Sequence, residues 1–214
     1  MENNIFLKDL LDRYPKLLPV EHEIRKAAES LTECFKQGRK LLVCGNGGSC
    51  SDSDHIVGEL MKDFEQERPL VVNLKNELQA LDKVRGKYLS EKLQQGLPAI
   101  SLTAHAGLIT ALANDSDADL VFAQQVVGYG NAGDVLLAIS TSGNSQNVFD
   151  AIITAKAKRM VVIGLTGESG GRMKSFCDIL INVPGRSTAL VQELHNPVYH
   201  TLCRIVENSL FGNT

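Results

Sequence analysis

Apolar residues in this chain fall into two kinds of run. Short continuous runs end at a glycine or a polar turn, and longer stretches repeat at spacings of three and four. Residues 5–37 belong to the second kind: Leu10, Leu11, Tyr14, Leu17 and Leu18 share one face of a helix, and Ala27, Ala28, Leu31 and Phe35 continue it. Lys40-Leu41-Leu42-Val43-Cys44-Gly45 is of the first kind and predicts a buried strand. The same reading predicts strands at Ala99–Leu102, Asp134–Ser140, Met160–Leu165 and Asp178–Val183. Helices are predicted over Ser51–Phe64, over 145–159, and over Thr188–Leu210 as one helix or a helix pair.

Continuous apolar strands alternating with helices predict βαβ units and a parallel sheet buried on both faces. The expected fold class is α/β: a three-layer sandwich with a five-stranded parallel sheet flanked by helices, in a single domain spanning 1–214. N-terminal helices occupy about 1–38. Crossovers of this kind are right-handed, and ligands bind outside the carboxyl ends of the strands. That rule marks the segments after Cys44, Ile139 and Leu165. Residues 68–97 break the alternation, and their leucine spacing predicts a helical insertion over about 71–95 that packs on the body near a site entrance or an intersubunit contact.

Composition narrows the function classes. Of 214 residues, 43% are apolar and 22% charged, too apolar for disorder, and the formal net charge is −3. That balance, without a Lys/Arg run, argues against nucleic-acid binding, as does the absence of Trp with 5% aromatics. No apolar stretch reaches the ~18 residues of a membrane span. The start, Met-Glu-Asn-Asn, does not read as a signal peptide. Five cysteines without CxxC spacing read as reduced thiols of a cytoplasmic protein.

Three segments carry candidate chemistry. Gly45-Asn46-Gly47-Gly48-Ser49 ends the first strand, where glycines let backbone N–H groups approach an anion before a helix start. No Gly-Lys-Ser/Thr follows, so it is not a Walker A loop, and its third glycine is misplaced for a dinucleotide fingerprint. Ser140-Thr141-Ser142-Gly143-Asn144-Ser145 ends the third strand; its four hydroxyls exceed what one helix cap needs and suit a phosphate held by neutral donors. The two loops together favour a phosphorylated small molecule. Finally, His55 and Glu59 share one helix face, and Gln192, His195 and His200 lie near the C-terminus. Two His and one Glu match the donor set of a catalytic zinc, with a surface ion pair as the plainer alternative.

These residues carry a resemblance to the sugar isomerase (SIS) domain family. The matching motifs are Cys44–Ser49 with His55 and Glu59, Ala113-Asn114-Asp115, Ser140–Ser145, Leu165-Thr166-Gly167 with Gly170-Gly171, and Gln192-Glu193 with His200. The set His55, Glu59, Gln192 and His200 points to the zinc-dependent isomerase branch. The resemblance implies a SIS fold, flavodoxin-like in arrangement, in a homotetramer with sites at subunit interfaces. It implies interconversion of sedoheptulose 7-phosphate and D-glycero-D-manno-heptose 7-phosphate. By position, Ser140, Thr141, Ser142 and Ser145 would hold the phosphate, and Asn46, Gly47, Gly48, Ser49, Asn114, Asp115 and Gln192 would line the sugar. His55, Glu59, Gln192 and His200 would bind zinc, with Glu59 and His200 transferring protons.

The 71–95 stretch departs from the family pattern and bears on which sugar fits. The alternative reading is a non-catalytic relative that binds a replication initiator or senses a phosphosugar; retention of both His and Glu speaks against it. One geometric difficulty stands out. Gln192 and His200 are eight residues apart, ~12 Å along a straight helix. Either a new helix starts at Asn196-Pro197, or the two residues serve sites in different subunits, or Gln192 reaches mainly the sugar. The expectation is a site completed across subunits.

Overall fold

The computed structural model describes residues 4–212. Five strands form one sheet: β1 (Leu41–Gly45), β2 (Ala99–Ser101), β3 (Val135–Ser140), β4 (Val161–Gly167) and β5 (Ile179–Val183). Every pairing is parallel, and the order is β2-β1-β3-β4-β5. All residues of β1 and β3 are buried, as a sheet covered on both faces requires. Their apolar runs are divided between the faces by strand alternation. Leu41, Val43, Val135, Leu137 and Ile139 enter one core, and Leu42, Cys44, Leu136 and Ala138 the other.

The first core is covered by α1 (Ile5–Arg13), α2 (Glu21–Lys36), α3 (Gly48–Met61) and α9 (Thr188–Phe211). The second is covered by α7 (Val121–Tyr129) and α8 (Gln146–Ala157), with Ile109 and Leu112 of α6 (Ala106–Asp115) packed at its margin. The three-layer expectation therefore holds. Between Leu102 and Asp134 the chain forms α6 and α7, which the apolar spacing does not reveal. None of the residues of α6 is buried, so it has no strong stripe to read.

Two expectations change, and one open alternative is decided. The helical reading of 5–37 is interrupted by a 3-10 helix over Pro15–Val20. Pro15 supplies no N–H, and Tyr14 before it leaves the helical region at φ −129°. Leu17 stays in the core while Leu18 turns to solvent. At the other end, α9 is one continuous helix through Pro197, so no new helix starts at Asn196. The insertion forms two helices, α4 (Val72–Leu81) and α5 (Arg85–Lys92), which pack on each other. The expected seating of its leucines on the body occurs only at its base, where Leu70 and Leu97 are buried. None of α4 is buried, and Leu81 and Val84 stay 84% and 78% exposed.

The base of that excursion is fastened by a sealed ion pair. Arg68 meets Glu207 of α9 at 2.7 Å with both side chains out of solvent. The guanidinium also donates to the carbonyls of Leu60 and Glu59, satisfying two acceptors that the end of α3 leaves open. Glu207 accepts in addition from the N–H groups of Phe64 and Glu65. No helix among the described residues is long and apolar enough to cross a membrane.

Candidate active site

Strand order reverses between β1 and β3, and the loops that leave their carboxyl ends are the two singled out by the sequence. The side-chain amides of Asn46, in the first loop, and Asn147, in the first turn of the helix that follows the second, exchange hydrogen bonds of 2.8 and 3.0 Å. In the first loop Gly47 has φ +55°, which favours glycine. Gly48 opens α3 so close to α9 that a Cβ there would lie 2.2 Å from Gln192 Nε2. Gln192 thus reaches the glycine loop. Ser49 is buried.

The hydroxyl loop is built around its own side chains. Ser140 Oγ and Ser145 Oγ lie 3.1 Å apart, Gly143 N–H donates to Ser140 Oγ, and Asn144 N–H donates to Ser142 Oγ. The loop packs against Gly170-Gly171, where a Cβ on Gly143 would strike the Gly170 carbonyl at 2.2 Å. A Cβ on Gly171 would in turn strike the Ser142 carbonyl at 2.4 Å, so the close approach requires glycine on both sides. Thr141, Ser142, Asn144, Gly167, Glu168 and Arg186 are among the lining of a cleft of about 570 Å³. Arg186, on the turn after β5, brings a cation to this cleft and pairs with Glu168 at 2.8 Å. Sequence reading missed it because no basic residue lies in either loop, although the turn after β5 is also a strand carboxyl end.

Asn114 and Asp115 end α6 and hydrogen-bond each other at 2.7 Å. No hydrogen bond between described residues ties them to either loop.

The acid and imidazole groups gather where α3 meets α9. His55 Nε2 lies 2.9 Å from Glu59 Oε1, the i, i+4 pair expected on one helix face. The His55 and His200 rings meet edge-on, with centroids 4.9 Å apart. His200 Nε2 is buried without a hydrogen-bond partner, and burial followed by the nearby His55 lowers the His200 pKa, which favours the neutral ring. Nitrogen and carboxylate donors of this kind suit zinc, and the orphaned His200 nitrogen is an open ligand position. Yet no group of three His, Cys, Asp or Glu among the described residues is arranged to hold a metal ion. Gln192 lies eight residues up the continuous α9 from His200. One chain therefore brings His55, Glu59 and His200 together and sends Gln192 to the glycine loop.

Two further side chains complete this corner. Tyr199, almost fully buried, places its hydroxyl 3.1 Å from His55 Nδ1 and accepts from Asn196 Nδ2 at 2.7 Å. Asp52 lies against the same hydroxyl. Burial raises the Asp52 carboxyl, and burial with the neighbouring Asp52 pushes the Tyr199 phenol up to about 12. By contrast His195, expected near this group, faces the core with neither ring nitrogen bonded; burial depresses it to about 4.

Comparison with known proteins agrees with the fold. The SIS domain family model matches residues 7–96 and 89–167. Phosphoheptose isomerase of Laribacter hongkongensis is 38% identical over 213 residues, covering 98% of this chain and 95% of that protein. That of Thiobacillus denitrificans is 42% identical over 205 residues, covering 94% and 89%. The structure of phosphoheptose isomerase from Neisseria gonorrhoeae superposes with a TM-score of 0.72 at 32% identity, covering 94% of this chain and 91% of that one. One from Francisella tularensis gives 0.72 at 35% identity, covering 87% and 85%. The chain belongs to the SIS domain family, as an isomerase resembling the phosphoheptose isomerases.

Proposed function

We propose that the protein is a phosphosugar aldose–ketose isomerase that interconverts sedoheptulose 7-phosphate and D-glycero-D-manno-heptose 7-phosphate. The observation that carries this reading is the pairing of two polar loops at the β1/β3 reversal, where Asn46 meets Asn147, with the His55–Glu59–His200 group on the adjoining helices. The names of the similar proteins supply the seven-carbon substrate.

In this reading Ser140, Thr141, Ser142 and Ser145 hold the phosphate by hydroxyl and N–H donation at the start of α8. Asn46, Gly47, Gly48, Ser49, Asn114, Asp115 and Gln192 orient the sugar. Isomerisation moves a proton between neighbouring carbons through an enediol, and Glu59 and His200 carry that proton. His55, Glu59, Gln192 and His200 would hold zinc, which when bound supplies a Lewis acid for the carbonyl. In this reading Glu59 and His200 divide the work of base and acid between them.

The assembly belongs to the same proposal. Gln192 and His200 point to different parts of the chain from one continuous helix, ~12 Å apart along its axis. That separation supports a homotetramer whose sites are completed across subunits. The exposed Leu81 and Val84 of the α4–α5 hairpin are apolar surface suited to a subunit contact. Five free cysteines fit a cytoplasmic enzyme. Folded monomers produced by interface substitution are expected to lose turnover and bind zinc weakly; monomers with full activity would contradict this assembly.

A further inference from the structure

Arg186 stands beside a loop that by itself offers only neutral donors. It is the one cation among the described residues lining the cleft of about 570 Å³ that Thr141 and Ser142 share with Gly167 and Glu168. Its backbone is pinned on both sides. The Gly185 carbonyl accepts from the Glu168 N–H at 3.1 Å, and the Ser187 hydroxyl caps α9 by accepting from the Leu190 N–H. The Gly167 N–H in turn donates to the Thr141 carbonyl at 3.1 Å. Backbone bonds thus join the segments that leave the carboxyl ends of β3, β4 and β5. The walls of the cleft are fixed, while the Arg186 side chain is 89% exposed.

The guanidinium is only partly engaged. Its Nε donates to Glu168 Oε2 at 2.8 Å, and neither terminal Nη has a hydrogen-bond partner among the described residues. Four of its five N–H donors are therefore open. Arg172, also near the hydroxyl loop, is engaged elsewhere: its guanidinium lies 4.1 Å from the centre of the Phe149 ring and donates through Nη1 to Gln146.

An exposed ion pair such as Arg186–Glu168 is screened by water and yields to a stronger anion. A phosphate monoester carries ~1.5–2 negative charges at pH 7, and its oxygens match the planar fork of an arginine. We propose that Arg186 is the cation of the phosphate subsite on the hydroxyl loop, and that Glu168 competes with the ligand's phosphate for its guanidinium. The turn after β5 then supplies the charge that Ser140, Thr141, Ser142 and Ser145 lack. The choice of phosphate rests on the phosphosugar reading above, and the test is arranged so that the two can fail separately.

That test needs no turnover. Inorganic phosphate is titrated into wild type, Arg186→Ala, Arg172→Ala and Glu168→Gln, and binding is read from the NMR shifts of the backbone amides of residues 142–144. Arg186→Ala is expected to weaken binding roughly tenfold, the size of one lost hydrogen bond to a charged group. Arg172→Ala removes the same charge near the same loop and is expected to stay close to wild type. Glu168→Gln keeps an acceptor for Nε, removes the competing charge, and is expected to bind phosphate more tightly. The Glu168 side chain is 50% exposed and its turn is held by backbone bonds, so this variant gives a second route that does not alter Arg186. With sedoheptulose 7-phosphate as substrate, Arg186→Ala is expected to raise KM with little change in kcat. Equal phosphate affinity in wild type and Arg186→Ala, equal losses in Arg186→Ala and Arg172→Ala, or a wild type that binds no phosphate would overturn the proposal. Binding in Glu168→Gln no tighter than in wild type would overturn the competing role of Glu168. The expected order of phosphate affinities without turnover of any ketose phosphate would overturn the isomerase reading alone.

Discussion

Arg68 reaches Glu207 across 139 positions of sequence, and the pair also fixes the carbonyl of Glu59. The residue proposed to carry protons is thus held in place by an ion pair with no access to water. Removing one partner leaves a buried charge uncompensated, at a cost of ~3–5 kcal/mol. Arg68→Ala is expected to lower the melting temperature by roughly 6–20 °C. Replacing both residues by apolar ones of similar size should recover much of that loss. Calorimetry of the single and double variants checks this, and equal losses in both would contradict it.

Two glycines should respond to alanine in opposite ways. At Gly48 the new methyl meets only the end of the Gln192 side chain, which can move. Gly48→Ala is expected to keep the melting temperature and to reduce kcat/KM through displaced Gln192. At Gly143 the methyl meets the backbone carbonyl of Gly170, and φ is +68°. Gly143→Ala is expected to destabilise by at least ~1–3 kcal/mol. Thermal unfolding beside steady-state kinetics separates the two outcomes.

Glu59→Gln keeps size and removes charge and basicity. Turnover is expected to fall on the order of a hundredfold or more, the range of a lost general acid–base group. The variant should remain folded, because Arg68 grips the Glu59 backbone carbonyl and not its carboxylate. Unchanged turnover would remove Glu59 from the proton path.

His195 gives the protein a definite acid sensitivity. Its pKa is depressed by burial from 6.5 to about 4 in the folded chain. Between those values the unfolded chain binds more protons, so stability falls as pH drops through that window. From pH 7 to pH 5 the loss from this one group is ~2 kcal/mol. Denaturant unfolding at both values should show a smaller loss in His195→Leu than in wild type. An identical loss would mean that His195 is not the group responsible.

The parts legible in the sequence were those that depend on neighbours in sequence. Leu41–Cys44 and Val135–Ile139 read as buried strands because each run is wholly apolar, and the glycine and hydroxyl loops read as sites because they follow those strands. His55 and Glu59 paired because they are one turn apart. Long-range partners left no such trace. Tyr199 sits 144 residues from His55, and nothing local distinguishes its hydroxyl from that of any core tyrosine. Arg186 carries no local signal, because only the fold brings its turn beside Glu168 and the hydroxyl loop. In α4 the leucine spacing is truly helical, but helical spacing does not say what a face packs on, and there it packs on α5 while Leu81 stays exposed.

The central claim is phosphosugar isomerisation at the β1/β3 reversal with zinc held beside it. Its most direct test is incubation of zinc-loaded protein with sedoheptulose 7-phosphate, and with five- and six-carbon ketose phosphates, before and after chelation. The account predicts conversion of the seven-carbon ketose to the aldose, lost on chelation and restored by zinc. Failure of the zinc-loaded protein to convert any five- to seven-carbon ketose phosphate would contradict it.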